Sequence, residues 1–282
     1  MTPPLFHTQI TAQAAPDQWL FFLHGILGSG SNWRSFAKRL VTAHPTWGGA
    51  LVDLRMHGKS QGFSGPHSVA AASRDLAVLA STLGAPVRGV LGHSFGGKVA
   101  LAYAGAAPSL TNLFLLDSNP APQVRGRGSE LTLRVIAFLK SLPPELPSRQ
   151  DFLHRVTGAG FELPLAQWLS MNLVARGASL ALGVDLQAIE TLLADYFRTD
   201  LFPVLEALPS TLRVDFIVGG ASEVLDRETV GRVRALAEVH RQIHIEVLPG
   251  AGHWVHVDDP EGVFRAVSQA LGKPLPSTPP RP

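Results

Sequence analysis

Apolar and polar positions alternate along this chain on two length scales. Short, nearly continuous apolar runs read as strands covered on both faces: Leu5–Ile10, Trp19–His24, Ala50–Leu54, Val87–Gly92, Leu113–Asp117, Arg213–Val218 and Ile243–Leu248. Longer stretches with helical spacing lie between them, at Trp33–Leu40, Val69–Leu83, Gly97–Ala107, Glu228–Val239 and Glu261–Leu271. The last has a clear start signal, with Asp259 as N-cap and Pro260 at the first helical position. Strand–helix alternation of this kind predicts an α/β fold, a mostly parallel central sheet with helices on both faces.

One region breaks the alternation. From about Asn119 to Pro203 no strand is apparent, only leucine-rich helical pieces separated by turn signals such as Pro143–Pro144 and Gly177. Because the alternation resumes cleanly afterwards, residues 119–203 read as a helical cap lying over the strand ends rather than as ordinary core. The predicted core is then 1–118 together with 204–272, and the proline-rich stretch 273–282 reads as a flexible tail.

Composition narrows the picture. A chain of 282 residues with 45% hydrophobic content can bury a substantial core and suits one domain with an insertion. A formal charge of +2 gives no electrostatic reason to bind nucleic acid or an anionic membrane. With no cysteine, thiolate chemistry and disulfides are excluded. The N-terminus lacks the basic and apolar regions of a secretory signal, and no run of about 18 apolar residues reads as a membrane span. A soluble, cytoplasmic protein is the expectation.

The chemistry concentrates in a few loops. Gly92-His93-Ser94-Phe95-Gly96 fits G-x-S-x-G with an apolar strand before it and a helix after it, the context of a nucleophile elbow. Such a turn lifts the serine oxygen clear of the sheet and leaves no room for side chains two residues either side. It also sets the Phe95 N–H at a helix N-terminus, where it can hold a developing oxyanion. A second donor is expected from the loop after Trp19–His24, with Ile26 favoured and Leu27 as fallback. His24 in the same loop reads as a structural hydrogen-bonder. The base belongs after the last strand, where Gly252-His253-Trp254 follows Ile243–Leu248; His253 is favoured over His256, which stands nearer the Asp259 cap.

Together His24-Gly25, the segment Asp53-Leu54-Arg55-Met56-His57-Gly58-Lys59-Ser60, the elbow at Ser94 and Gly252-His253-Trp254 resemble the α/β-hydrolase superfamily across nearly the whole chain. More narrowly, DLRMHGKS is similar to the D-x-R-N-H-G-x-S segment of YbfF-like esterases and their mitochondrial abhydrolase relatives, with Met56 in place of the usual asparagine. HSFGGKVAL, FLLDSNPAP, WLSMNL, GGAS and GAGHWVH extend the likeness. The resemblance implies a carboxylesterase or thioesterase acting on small acyl esters, with a helical cap over the site. By residue chemistry Asp53 and Arg55 form an ion pair beside that site, as scaffold.

The acid is the open position. The usual loop, after Arg213–Val218, reads Gly219-Gly220-Ala221-Ser222-Glu223-Val224-Leu225-Asp226. Ser222 or Glu223 fills the acid slot depending on which glycine begins the count, and Asp226 reads as a helix N-cap. Asp117 is the other choice: a carboxylate ending a buried strand is costly without a partner, and an imidazolium is a natural one. The YbfF-like group has a serine in the usual slot and an aspartate at this strand end, and the sequence reproduces both. Asp117 is therefore preferred, with Ser222 as an auxiliary hydrogen-bonder to His253 and Glu223 as rival.

The expected reaction is acyl transfer through Ser94, without metal or organic cofactor. Phe138, Phe152, Trp168, Leu169 and Leu173 are candidates for the acyl pocket, each equally suited to an ordinary core position. A C–C hydrolase, a cofactor-free perhydrolase or haloperoxidase, or a lyase would use the same Ser–His pair. A ligand-binding receptor with vestigial activity is the alternative of another class.

Overall fold

A computed structural model describes residues 4–13, 15–123 and 129–272; the predicted tail at 273–282 lies outside them. In chain order the elements are β1 (His7–Ile10), β2 (Gln18–Leu23), α1 (Arg34–Ala43), β3 (Trp47–Val52), α2 (Val69–Ala80), β4 (Val87–His93), α3 (Phe95–Ala104) and β5 (Asn112–Leu116). Then come α4 (Glu130–Ser141), α5 (Arg149–Gly158), α6 (Leu163–Leu169), β6 (Leu173–Arg176), β7 (Ser179–Leu182), α7 (Leu186–Arg198) and α8 (Phe202–Ala207). The chain closes with β8 (Arg213–Gly219), α9 (Arg227–Val239), β9 (Ile243–Leu248), α10 (Val255–Asp258) and α11 (Pro260–Leu271).

Seven strands form one sheet in the order β1-β3-β2-β4-β5-β8-β9. Only β1 is antiparallel; it pairs with β3 at the edge. The near-continuous apolar strands follow from burial on both faces. In β2, Phe21 and Leu23 enter one core cluster with α2 and α3, while Leu20 and Phe22 enter another with α1 and α11. In β8, Val214 and Phe216 join the first cluster and Ile217 the second, so these positions are apolar, while the buried Asp215 between them is paired with Arg213 at 2.6 Å. From β2 the chain crosses to β3 on one side, whereas β4 lies on the other, so the order reverses beside β2. Sites in such sheets form at the carboxyl ends of strands around this reversal.

The expected strands and helices are all present, with ends shifted by a few residues. The third strand is Trp47–Val52, where the pattern places Ala50–Leu54. Asp259 accepts from the Gly262 N–H at 2.8 Å ahead of Pro260, as its sequence signal predicts.

The segment between β5 and β8 corrects one expectation. Besides five helices among the described residues it holds a hairpin, with Leu173 opposite Leu182 and Arg176 opposite Ser179. Gly177 makes its turn at φ 61°. Each strand is only four residues long, with β6 largely exposed and β7 half-buried, so neither leaves the long apolar run by which the sheet strands are recognised.

A buried lysine joins this segment to the sheet. Lys98, in α3, is wholly buried, and its ammonium donates to the carbonyls of Ala121, Tyr196 and Thr199 at 2.8, 2.8 and 2.9 Å. These carbonyls stand where the chain has just left β5 and where α7 ends. Burial pushes the Lys98 pKa down to about 7, against the pull of Asp200 and Asp195. No helix among the described residues is long and apolar enough to cross a membrane.

Candidate active site

The G-x-S-x-G turn falls between β4 and α3. Ser94 takes φ 53°, ψ −119°, a left-handed conformation that costs free energy for any residue with a Cβ. It is held by the Ser94 N–H donating to Leu116 O at 3.0 Å and by Ser118 Oγ donating to Ser94 O at 2.7 Å. A Cβ on Gly92 would collide with the Gly96 carbonyl, and one on Gly96 would stand 2.5 Å from His24 O. Both obstacles are backbone, so nothing larger than glycine fits.

A continuous hydrogen-bond chain runs from this serine. Ser94 Oγ lies 3.1 Å from His253 Nε2, and His253 Nδ1 lies 2.6 Å from Asp117 Oδ2. A carboxylate only accepts, so Nδ1 carries the proton and Nε2 is left to accept from the serine hydroxyl. Asp117 follows β5, has no solvent exposure and takes φ 42°. Its Oδ1 accepts the Gly219 N–H at 3.1 Å and its Oδ2 accepts the Ser222 hydroxyl at 2.5 Å. Ser222 thus reaches the carboxylate and not, as expected, the imidazole. Glu223 is exposed and makes no ion pair with His253. Asp226 caps α9 by accepting the Thr229 N–H at 2.8 Å.

Other histidines support these groups. His93 stacks against His253 with ring centroids 4.7 Å apart, and its Nε2 donates to His253 O at 2.9 Å. His256 packs between His93 and Trp33, at 4.7 and 4.6 Å. His24 accepts the Leu54 N–H through Nε2 at 3.0 Å and donates through Nδ1 to Gly25 O at 2.7 Å. Burial lowers the pKa of His24 and of His256 to about 4, so both rings are neutral near pH 7. The Asp53–Arg55 pair does not form. Asp53 instead accepts the Gly30 and Lys59 N–H groups at 2.7 and 2.8 Å, while Arg55 turns to Asp75 in a two-pronged contact at 2.6 and 2.9 Å. Asp53 is thus spent on the two loops on either side of it, and the Arg55 guanidinium is spent on Asp75 and on Pro66 O at 2.6 Å.

A sequence model of the alpha/beta hydrolase family matches residues 20–266. The chain belongs to that family. This alpha/beta hydrolase is 30% identical over 260 residues to the sn-1-specific diacylglycerol lipase of Mus musculus, covering 89% of this chain and 80% of the lipase. Esterase YbfF of Escherichia coli (strain K12) is 26% identical over 271 residues, covering 93% and 98%. Among solved structures, a marine microorganism esterase superposes with a TM-score of 0.80 at 23% identity over 95% and 99% of the two chains, a shared fold. The likeness to the YbfF group read from the sequence agrees with these relatives.

In this alpha/beta hydrolase Ser94 and His253 face a cleft whose walls include His24, Gly25, Ile26 and Leu27 from the loop after β2. Among the described residues the N–H groups of Ile26, Leu27 and Phe95 donate to no protein acceptor. Leu27 has φ 63°, and its carbonyl accepts from Asn172 Nδ2 at 2.9 Å. Of the five expected pocket residues, Trp168 lines the cleft. Phe152 and Leu169 are wholly buried, Leu173 is almost so, and Phe138 packs on Phe161 with ring centroids 5.5 Å apart. Those four are core positions. Leu131, Thr132 and Val135 of α4, Leu165 of α6, and Trp33 and Trp254 take their place. Leu131 is 39% exposed, a large apolar side chain left half-open, and only the folded chain reveals it. Among the described residues no cluster of three His, Asp or Glu side chains is set to hold a metal ion.

Proposed function

We propose that this hydrolase cleaves small-molecule acyl esters or thioesters through an acyl-enzyme on Ser94, beneath a cap formed by residues 119–203. The unbroken Ser94–His253–Asp117 hydrogen-bond chain carries this reading. Ser94 Oγ attacks the carbonyl carbon as its proton passes to His253 Nε2, and the Asp117 carboxylate stabilises the resulting imidazolium. The carbonyl oxygen takes up negative charge and receives the N–H groups of Phe95 and Ile26, with Leu27 as the fallback donor. The imidazolium then protonates the leaving oxygen or sulfur and the carbonyl reforms. Water, deprotonated by His253, attacks the acyl-enzyme by the same route and releases the acid.

Hydrolysis of p-nitrophenyl butyrate tests this directly. Ser94→Ala should lower kcat on the order of a thousandfold or more, and a fluorophosphonate should label the parent at Ser94 and leave the variant unlabelled. A variant that kept its rate would remove Ser94 from the reaction.

A further inference from the structure

Packing alone does not call for a histidine at position 256. The ring is half-buried between two others, Trp33 at 4.6 Å and His93 at 4.7 Å between centroids, and neither gives it a hydrogen bond. His93 spends its Nε2 on His253 O, and Trp33 Nε1 is itself buried without a partner. Among the described residues neither nitrogen of His256 is hydrogen-bonded: Nδ1 is shut in, and Nε2 is left open. A phenylalanine would fill the same space without burying an unpaired polar atom.

The place of this ring says what Nε2 meets. His256 forms part of the cleft wall that Ser94 and His253 share. Two ring contacts of 4.7 Å, through His93, separate it from the His253 imidazole, so it stands beside the reacting atoms and not at them. None of the described residues lining the cleft is Asp, Glu, Lys or Arg. Of the other neutral polar side chains there, Asn32 has its Oδ1 taken by the Ser29 N–H at 2.8 Å, and Thr132 belongs to α4. An ionised arm finds no counter-charge in this wall, and an alkyl arm strips water from Nε2 without replacing it. The imidazole is neutral near pH 7, because burial lowers its pKa to about 4. A neutral ring donates or accepts through Nε2 according to its tautomer, which suits a hydroxyl in either sense.

We infer that His256 is a substrate-binding residue whose Nε2 hydrogen-bonds an uncharged hydroxyl carried by the ester whose carbonyl lies at Ser94. This builds on the reading of Ser94 as nucleophile, and the unpaired imidazole supplies the substrate class. The hydroxyl sits on the acyl arm or on the alcohol arm, and the chemistry of recognition is the same for both. Since Nε2 is open to water in the free protein, the hydrogen bond replaces one to solvent, and the gain is about three- to tenfold in kcat/KM.

Two pairs of esters, each differing by a hydroxyl in place of a methyl, test it through acid release at pH 7. Methyl 3-hydroxybutyrate with methyl 3-methylbutyrate reads the acyl arm, and 2-hydroxyethyl butyrate with propyl butyrate reads the alcohol arm. His256→Phe, which keeps a ring between Trp33 and His93, should lower the hydroxyl-to-methyl ratio of kcat/KM about three- to tenfold in one pair, and that pair assigns the arm. His256→Gln, which sets an amide near Nε2, should retain part of the preference. Ratios untouched by His256→Phe in both pairs, equal losses on both members, or a Gln variant no better than Phe would overturn the hydrogen bond. Binding of the preferred hydroxyl ester to Ser94→Ala, followed by tryptophan emission, reads the contact without catalysis and should weaken when His256→Phe is added. Equal binding overturns the role of His256, whereas hydrolysis by Ser94→Ala overturns the nucleophile and leaves the ratios to report on their own.

Discussion

Asp117 satisfies several groups with one buried carboxylate. It ends a strand in the left-handed region, takes an amide on one oxygen, and takes a hydroxyl and an imidazole on the other. The first half of this was legible in the sequence, because an acidic residue closing the run Leu113-Phe114-Leu115-Leu116 needs a partner wherever the strand is buried. The second half was not. Whether the hydroxyl of Ser222 meets the imidazole or the carboxylate depends on sub-ångström placement of two loops, and residue order carries no such information. Asp117→Asn should lower kcat on the order of a thousandfold, because the amide no longer fixes the tautomer or stabilises the imidazolium. Glu223→Gln, on an exposed side chain, should leave the rate unchanged. Steady-state kinetics on the two variants decide between the carboxylates, and a large loss at Glu223 alone would reverse the assignment.

At the scale of elements, the sheet and its flanking helices were readable because burial on two faces forces unbroken apolar strands. The β6–β7 hairpin was not, since its strands are only four residues long and lie at best half-buried. Missing it hides a connection of functional weight. Asn172, immediately before β6, reaches back to the loop after β2 and donates to Leu27 O, and so fixes the Leu27–Gly28 peptide, one unit beyond the peptide that carries the Leu27 N–H. The sequence holds this residue within WLSMNL but does not say what it touches. If the loop supplies an oxyanion donor, a shift of about an ångström is enough to weaken it greatly. Asn172→Ala should therefore reduce kcat about ten- to a hundredfold with KM little changed, and should slow fluorophosphonate labelling in step. A rise in KM at constant kcat would instead assign Asn172 to substrate binding.

The whole molecule carries a cost in acid. Burial holds four imidazoles neutral: His24 and His256 are lowered to about 4, His57 to about 3, and His93 well below its ordinary value. The unfolded chain binds protons on these rings near pH 6.5, whereas the native chain binds them only near pH 4 or lower. Stability is therefore highest above about pH 6.5 and falls as pH drops toward 4, by an amount on the order of 3 kcal/mol for His24 alone. Urea midpoints at several pH values across that window should decline steadily, and a constant midpoint would show that these rings do not remain neutral in the native state. Lys98 binds the molecule together in a different sense. Its three acceptors are backbone carbonyls, which any sequence can supply, yet they must converge on one nitrogen from the chain just after β5 and from the end of α7. The segment is thus free to diversify in its side chains and confined in its two junctions. A segment grafted between β5 and β8 from another protein would be accepted or rejected at those junctions, whatever side chains it carried in between.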